Sequence, residues 1–235
     1  ADRGFALVRP PGHHAEPDQA MGFCFFNNVA IGARHLQRAH GLERILLLDL
    51  DAHHGNGSQL VFWTDPGVLY LSIHRDGAYP FSGAASECGG AAGRGFTVNV
   101  PIDRRVGNHE YARILHGLVE PIARHYRPQI VLVSCGFDMC KVDPLGQLAL
   151  TDAGYLLIAD FLVHLADELT GGKLALVLEG GYSVQGIRDA GRCVIRRLAG
   201  LDAVDGELVD QLRQEGADGV PGLERVLRLQ REFWP

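Results

Sequence analysis

The chain of 235 residues has no long apolar stretch, no long run of basic residues and no Cys-x-x-Cys pair. No apolar segment approaches the ~20 residues that cross a bilayer, which predicts no membrane-spanning segment and no membrane partner. The first residues, 1–4, do not have the regions of a signal peptide. The five cysteines form an odd-numbered set, so we expect no disulfide framework and a reducing compartment, the cytoplasm.

Basic residues are too few and too scattered to form a phosphate-binding surface. The chain has 22 Lys and Arg against 28 Asp and Glu, a net charge of −6. We therefore expect no direct nucleic-acid partner. The sequence indicates no particular oligomeric state.

Phosphate-binding motifs, internal repeats and linkers are also missing. The glycine-rich segments 55–57, 83–95 and 180–181 match neither the Walker pattern nor a G-x-G-x-x-G between a strand and a helix, so we expect them to be loops with tight turns. The length fits one domain over residues 1–235. Because the first strand and the first motif come within a few residues of the start, we expect that the N-terminal part of this domain is missing.

The apolar pattern predicts alternating strands and helices. Continuous apolar runs predict buried strands at 45–51, 68–74, 130–135 and 174–179, with shorter strands at 5–8 and 97–100. Helix-like stretches cover about 28–40, 108–126, 152–170 and 184–200, and the tail 200–235 is expected to be a helical covering layer. This alternation predicts a three-layer α/β/α fold with a mainly parallel sheet.

The chemistry-bearing residues follow the predicted strands, where ligands bind in parallel sheets. Asp49, Asp51 and His53 are spaced so that an extended chain points all three to one face. Two neighbouring carboxylates repel each other unless a cation or a proton neutralises them. We expect Asp51 and His53 to bind a divalent metal, with Asp138, from another strand end, as the third ligand of a zinc site that keeps one open position.

Two more strand ends add groups that transfer protons. The pair His13-His14 follows a stiff Pro-Pro-Gly turn and suits general acid–base chemistry near neutral pH. Each histidine needs a partner that fixes its tautomer, and Asp49 and Asn56 are the candidates. Tyr182 can donate a hydrogen bond to a developing oxyanion.

Taken in order, these segments resemble the histone deacetylase superfamily, which shares the arginase-like fold. The matching stretches are RPPGHHA at 9–15, GFCFFNNVA at 22–30, DLDAHHGNG at 49–57, SIHR at 72–75, SCGFD at 134–138, DPLG at 143–146 and LEGGY at 178–182. The resemblance is to the class II-like deacetylases and the acetylpolyamine amidohydrolases. It runs from Arg9 to about Tyr182.

The resemblance implies a role for each matching residue. It implies one Zn²⁺ per chain, bound by Asp51, His53 and Asp138, with water activated at the metal. It implies that the catalytic residues are His13, His14, Tyr182, Asp49 and Asn56, and that the acyl-lysine is bound by Gly22, Phe23, Tyr79 and Leu145. A K⁺ ion near the zinc would be bound by Asp49, Asp51, His53 and Ser72. The implied substrate is an acetylated lysine peptide or a small acetylated amine.

Two features differ from the family pattern. Family domains carry a further block before the RPPGHH motif, which would contribute part of the substrate-binding rim. Phe81 stands where glycine is common, which would reshape one side of the acyl-lysine tunnel.

Three other functions are alternatives at this point. An arginase-type ureohydrolase needs a second aspartate two positions after the histidine, and position 55 is Gly. An acetylpolyamine amidohydrolase would recognise a cationic substrate with an acidic residue, whereas Leu145 is neutral. A non-catalytic acyl-lysine-binding module would have lost a zinc ligand or Tyr182, and both are retained.

Overall fold

The computed structural model describes residues 2–234, whose strands form one six-stranded sheet. All neighbouring strands are parallel, in the order β1-β6-β5-β2-β3-β4. The strands are β1 (Arg3–Ala6), β2 (Ile45–Leu50), β3 (Val68–Arg75), β4 (Thr97–Ile102), β5 (Ile130–Cys135) and β6 (Leu174–Leu178). The predicted parallel sheet is therefore confirmed.

Eight α-helices accompany this sheet in the described part of the chain. They are α1 (Asn28–His40), α2 (Asn56–Phe62), α3 (Asn108–Ile114), α4 (Glu120–Tyr126), α5 (Asp152–Thr170), α6 (Val184–Leu198), α7 (Gly206–Glu215) and α8 (Glu224–Gln230). None of the helices within residues 2–234 has the length and apolar character needed to span a membrane.

Alternate residues of β2 show why the sheet has helices on both faces. Ile45 and Leu47 point into a core shared with α1 and α2, whereas Leu46 and Leu48 point into the larger core shared with α3 to α6 and α8. Successive side chains of a strand point to opposite faces, so a strand with apolar residues on both faces needs helices on both sides of the sheet. This arrangement confirms the three-layer α/β/α fold.

Most predicted elements are present, and three need correction. The first strand is Arg3–Ala6 rather than 5–8, since its partner register runs from Leu174 to Val177 of β6. Residues 56–62, expected to begin as a glycine loop, form α2. The predicted helix at 108–126 contains a π-helical turn at Leu115–Val119, where Gly117 lies against the backbone of Ala217 too closely for any side chain.

The parallel arrangement places the carboxyl ends of all six strands at one edge of the sheet. The neighbours of β2 there are β3 and β5, and Asp49 is in register with Ser72 and Ser134. The motifs that follow β1, β2, β5 and β6 therefore converge above the middle of the sheet. This edge carries the candidate site.

Candidate active site

Asp51, His53 and Asp138 form a compact cluster above β2 and β5. One ligand atom of each residue lies within 4.8 Å of those of the other two. His53 Nδ1 is 3.1 Å from Asp51 Oδ1 and 2.9 Å from Asp138 Oδ2. The structure thus brings together the three residues predicted to bind the metal.

Backbone amides fix the directions of both carboxylates. Gly180 N donates to Asp51 Oδ2 at 2.8 Å, and Ala52 N donates to Asp138 Oδ1 at 2.9 Å. Gly136 and Gly180 lie so close to these carboxylates that a Cβ at either position would collide with Asp51 or Asp138. The glycines of the GFD and EGGY segments are therefore needed for close approach of backbone to carboxylate.

The protonation behaviour of the cluster indicates that it requires a cation. Burial and the neighbouring charge of Asp51 raise the pKa of Asp138 to about 7. Burial lowers the pKa of His53, but its hydrogen bonds to Asp138 and Asp51 outweigh that effect and raise it to about 10. A proton on His53 thus supplies the positive charge that two buried carboxylates need. A divalent metal ion would supply the same charge, and one imidazole with two carboxylates is a ligand set that fits zinc.

His13 is buried and bound to a carboxylate. Its Nδ1 lies 3.1 Å from Asp49 Oδ2, and its Nε2 lies 3.8 Å from Asp51 Oδ1. Tyr70 donates its hydroxyl to Asp49 Oδ2 at 3.0 Å. Burial lowers the pKa of His13, but the charges of Asp49, Asp51 and Glu179 together raise it well above its ordinary value. These carboxylates therefore favour the protonated form of His13.

His14 lines the cavity and has the opposite character. Burial and the charge of His13 lower the pKa of His14 to about 3. Its Nδ1 lies 2.9 Å from Asn56 Oδ1. Asn56 donates its Nδ2 to Glu16 Oε1 at 2.7 Å, which fixes the amide so that its oxygen faces the imidazole. His14 must then carry its proton on Nδ1, and Nε2 is free to accept one.

Two buried acids, Glu179 and Asp143, were not predicted from the sequence. Both accept hydrogen bonds from the backbone of residues in the site. Glu179 Oε2 accepts from the backbone N–H of Gly12 at 2.6 Å and of His13 at 3.0 Å, so it fixes the histidine pair to the end of β6. Asp143 Oδ2 accepts from Tyr182 N at 2.7 Å, and its Oδ1 accepts from Leu145 N at 2.9 Å. A charged residue that directly follows a buried strand was the signal for Glu179.

A cavity of about 570 Å³ lies over the cluster. Most of the residues that line it were predicted to bind the metal, to act in catalysis or to bind the substrate, and Arg75 is the exception. The lining residues are His14, Gly22, Phe23, His53, Arg75, Tyr79, Leu145 and Tyr182. The rings of Phe23 and Tyr182 lie 6.0 Å apart, and those of His14 and Tyr79 lie 5.1 Å apart. Gly22, with φ +56°, passes so close to the His14 ring that no side chain fits there. All four predicted substrate residues therefore lie at this cavity.

Tyr182 stays a phenol at neutral pH. Burial and the charges of Asp51 and Asp138 raise its pKa above the ordinary value. A protonated hydroxyl in the same cavity as His14 and His53 can donate a hydrogen bond to a substrate oxygen.

Ser72 lies on β3 below the cavity rather than in it. Its hydroxyl is 2.9 Å from His74 Nδ1, and its backbone is in register with Asp49. Potassium binding by Asp49, Asp51, His53 and Ser72 stays a prediction.

Comparisons with known proteins identify the family of this chain. The family model "Histone deacetylase domain" matches residues 1–198. Histone deacetylase 14, chloroplastic, of Arabidopsis thaliana is 44% identical over 87% of this chain and 48% of its own length. Histone deacetylase 7 of Homo sapiens is 42% identical over 98% of this chain and 25% of its own length.

A solved structure of a related domain also matches this chain. The crystal structure of the HDA15 HD domain superposes with a TM-score of 0.84 at 41% identity, over 99% of this chain and 62% of that chain. The chain thus spans half or less of the length of these curated relatives and less than two thirds of this domain structure. On the family match and on these identities, the chain belongs to the histone deacetylase family.

Proposed function

We propose that this chain is the catalytic core of a zinc-dependent amidohydrolase that removes acetyl groups from lysine side chains. The observation that carries the proposal is that one cavity contains the imidazoles of His53 and His14 and the phenol of Tyr182. Asp51 and Asp138 complete the ligand set beneath it. Membership of the histone deacetylase family supports the same reaction.

Zinc binding is proposed from the chemistry of the ligands. Asp51, His53 and Asp138 would hold the ion, and their fixed carboxylates need little reorganisation to do so. A bound zinc ion polarises a carbonyl oxygen and lowers the pKa of a bound water. We propose one ion per chain, with K⁺ near Asp49 and Ser72 as a second cation.

The protein residues divide the proton transfers between them. His14 accepts the proton of the attacking water at Nε2, and the same nitrogen later returns it to the leaving amine. His13 is the charged partner in this proposal: together with burial, its positive charge lowers the pKa of His14. Tyr182 donates its hydroxyl to the acyl oxygen as negative charge develops there.

The cavity walls favour an acylated lysine over an acylated polyamine. Phe23 and Tyr79 supply aromatic surface for an aliphatic lysine chain, and Leu145 is neutral. The charged residue that lines the cavity near them is Arg75, which would repel the free ammonium groups of a polyamine.

Zinc content and a substrate panel test the proposal. We expect one zinc per chain, measured by metal analysis after dialysis. We expect hydrolysis of an acetyl-lysine peptide to exceed that of acetylated spermidine, with acetate release as the measurement. Hydrolysis of acetylated spermidine alone would show that the substrates are acetylated polyamines rather than acetylated lysines. A zinc-loaded protein inactive on both substrates would favour a non-catalytic acyl-lysine-binding module.

The location of the protein stays a proposal. Cys24, Cys88, Cys135, Cys140 and Cys193 are all free thiols, which fits a reducing compartment such as the cytoplasm.

A further inference from the structure

A second cavity adjoins the active-site cavity and shares Arg75 with it. Its volume is about 490 Å³, and its walls come from the end of β3, the segment 101–105 at the end of β4 and beyond it, and the start of α8. The positively charged residues lining it are Arg75, Arg104, Arg105 and Arg225. This basic surface is local, since the whole chain has a net charge of −6.

Most of this positive charge is not neutralised by the protein. Arg105 is bound to Asp103, with Nε 2.9 Å from Oδ1. Across residues 2–234, no carboxylate oxygen lies within 4.0 Å of a side-chain nitrogen of Arg75, Arg104 or Arg225. Asp76 is the remaining acid that lines the cavity. We name Arg75, Arg104 and Arg225 the arginine groove.

Arg75 has a hydrogen-bonding group without a partner at the junction of the two cavities. Its Nη1 donates to the neutral Gln147 Oε1 at 2.6 Å, whereas its buried Nε has no partner among the described residues. Burial and the charge of Arg104 lower the pKa of Arg75. An anion between Arg75 and Arg104 would relieve the repulsion between their two guanidinium groups.

We propose that the arginine groove binds a carboxylate side chain of the polypeptide substrate, close in sequence to the acyl-lysine held in the active-site cavity. The proposal rests on the proposed function. An acyl-lysine in the cavity leaves its flanking residues at the opening, next to Arg75. Glutamate or aspartate there would accept hydrogen bonds from Arg75 and gain the attraction of Arg104 and Arg225.

This inference can be tested with peptides that differ only in the residues that flank the acetyl-lysine. One peptide carries Glu at the flanking positions, a second carries Gln and a third carries Lys. For the zinc-loaded protein we expect kcat/KM to be about tenfold higher for the Glu peptide than for the Gln peptide, and lowest for the Lys peptide. The preference should fall at about 0.5 M NaCl, because salt screens partly exposed charges.

Charge-matched variants separate a local site from the field of the whole protein. In Arg104→Gln/Arg225→Gln we expect the Glu peptide to lose its advantage, with less than about a twofold difference remaining. The control Arg38→Gln/Arg192→Gln removes the same charge from α1 and α6, away from both cavities, and should keep the full preference. Acetyl-lysine amide, which has no flanking residues, should be hydrolysed equally by all three proteins.

The outcomes distinguish this inference from the proposed function. Equal rates for the Glu and Gln peptides with an active enzyme would overturn the inference alone. A preference that is weakened equally in the control variant would also overturn it, because the groove would then have no special role. If no peptide is hydrolysed, the proposed function fails, and binding is measured with the same three peptides, acetylated and fluorescein-labelled. Glu-selective binding that depends on Arg104 and Arg225 would still support the groove, whereas binding without selectivity would overturn it.

Discussion

The floor and the rim of the active-site cavity are built in different ways. The floor consists of Asp51, His53 and Asp138. Its two carboxylates are buried and accept hydrogen bonds from backbone amides that follow β6 and β2. The rim consists of Phe23, Tyr79 and Leu145, with Phe81 beside it, 6.5 Å from Tyr79 between ring centroids. All four are on loops and exposed, with Phe23 at 69% and Phe81 at 82%.

The difference shows which part of the site tolerates change. Strand register fixes the positions of the floor residues, and because they are buried, loss of a hydrogen-bond partner there destabilises the protein strongly. Loops position the rim, where Phe23 and Phe81 even adopt positive φ of 64°. Non-glycine residues pay for that conformation, so the surrounding structure must hold them there. We expect changes in the floor to abolish function and changes in the rim to adjust it.

The largest effect should come from Asp138→Asn. The variant keeps the shape of the side chain but leaves Asp51 and His53 as the only charged or imidazole ligands, so zinc affinity should fall by at least about 100-fold. Competition with a chromophoric chelator measures the affinity. Asp143→Asn is the matched control, because it changes a buried carboxylate outside the ligand set and should retain zinc. Full zinc content in Asp138→Asn would exclude Asp138 as a ligand.

Tyr182→Phe should lower turnover by about 100-fold or more, since it removes a hydrogen-bond donor to the developing oxyanion. Zinc content should not change, because the hydroxyl is not part of the ligand cluster. Tyr79→Phe removes a hydroxyl from the same cavity and should keep turnover within about twofold. Equal losses in both variants would remove the special role of Tyr182.

Zinc affinity should rise with pH between about 6 and 8. In the metal-free cluster, the pKa is about 7 for Asp138 and about 10 for His53, so zinc displaces a proton from His53 throughout this range and also from Asp138 below about pH 7. Lower pH favours the protonated, metal-free form, and each displaced proton changes the affinity by about tenfold per pH unit. Isothermal titration in buffers of different ionisation enthalpy counts the protons. An affinity independent of pH would contradict this account of the floor.

Asn56→Asp should raise the pKa of His14 by about one unit or more, because a carboxylate at Nδ1 stabilises the imidazolium. The acidic limb of the kcat/KM profile should therefore move to higher pH. Glu16→Gln serves as the control, since glutamine still offers an oxygen to Asn56 Nδ2 and should leave the limb in place. If the acidic limb of the kcat/KM profile stays at the same pH in Asn56→Asp, His14 is not the group whose protonation produces that limb.

Phe81→Gly should have the smallest effect. Glycine adopts positive φ without strain, and the exposed ring buries little surface, so the free energy of unfolding should increase by at most about 1 kcal/mol. Thermal unfolding measures the change, and turnover should stay within about twofold. A large loss of stability would show that the rim is fixed as firmly as the floor.

Much of the floor could be predicted from the sequence. The spacing of Asp49, Asp51 and His53 after an apolar run places them at a strand end, and the structure has them there. The rim residues Phe23, Tyr79 and Leu145 came from the family resemblance, since nothing in their own spacing brings them together. The role of Asp143 could not be foreseen, because it depends on a turn that approaches Tyr182 from 39 residues away.

The sequence determined the layered fold through its alternation of apolar runs and helix-like segments. It also determined which edge of the sheet carries the site, because the polar groups directly follow the strands. These properties depend on local periodicity and on the rule that parallel strands end together. Tertiary structure alone decided the protonation of the histidines. His13 and His14 are neighbours in sequence and burial lowers the pKa of both, yet the carboxylate of Asp49 raises the pKa of His13, whereas the charge of His13 lowers that of His14 further. The reason is physical: a pKa depends on the charges and the solvent around a group, and only the folded chain sets both.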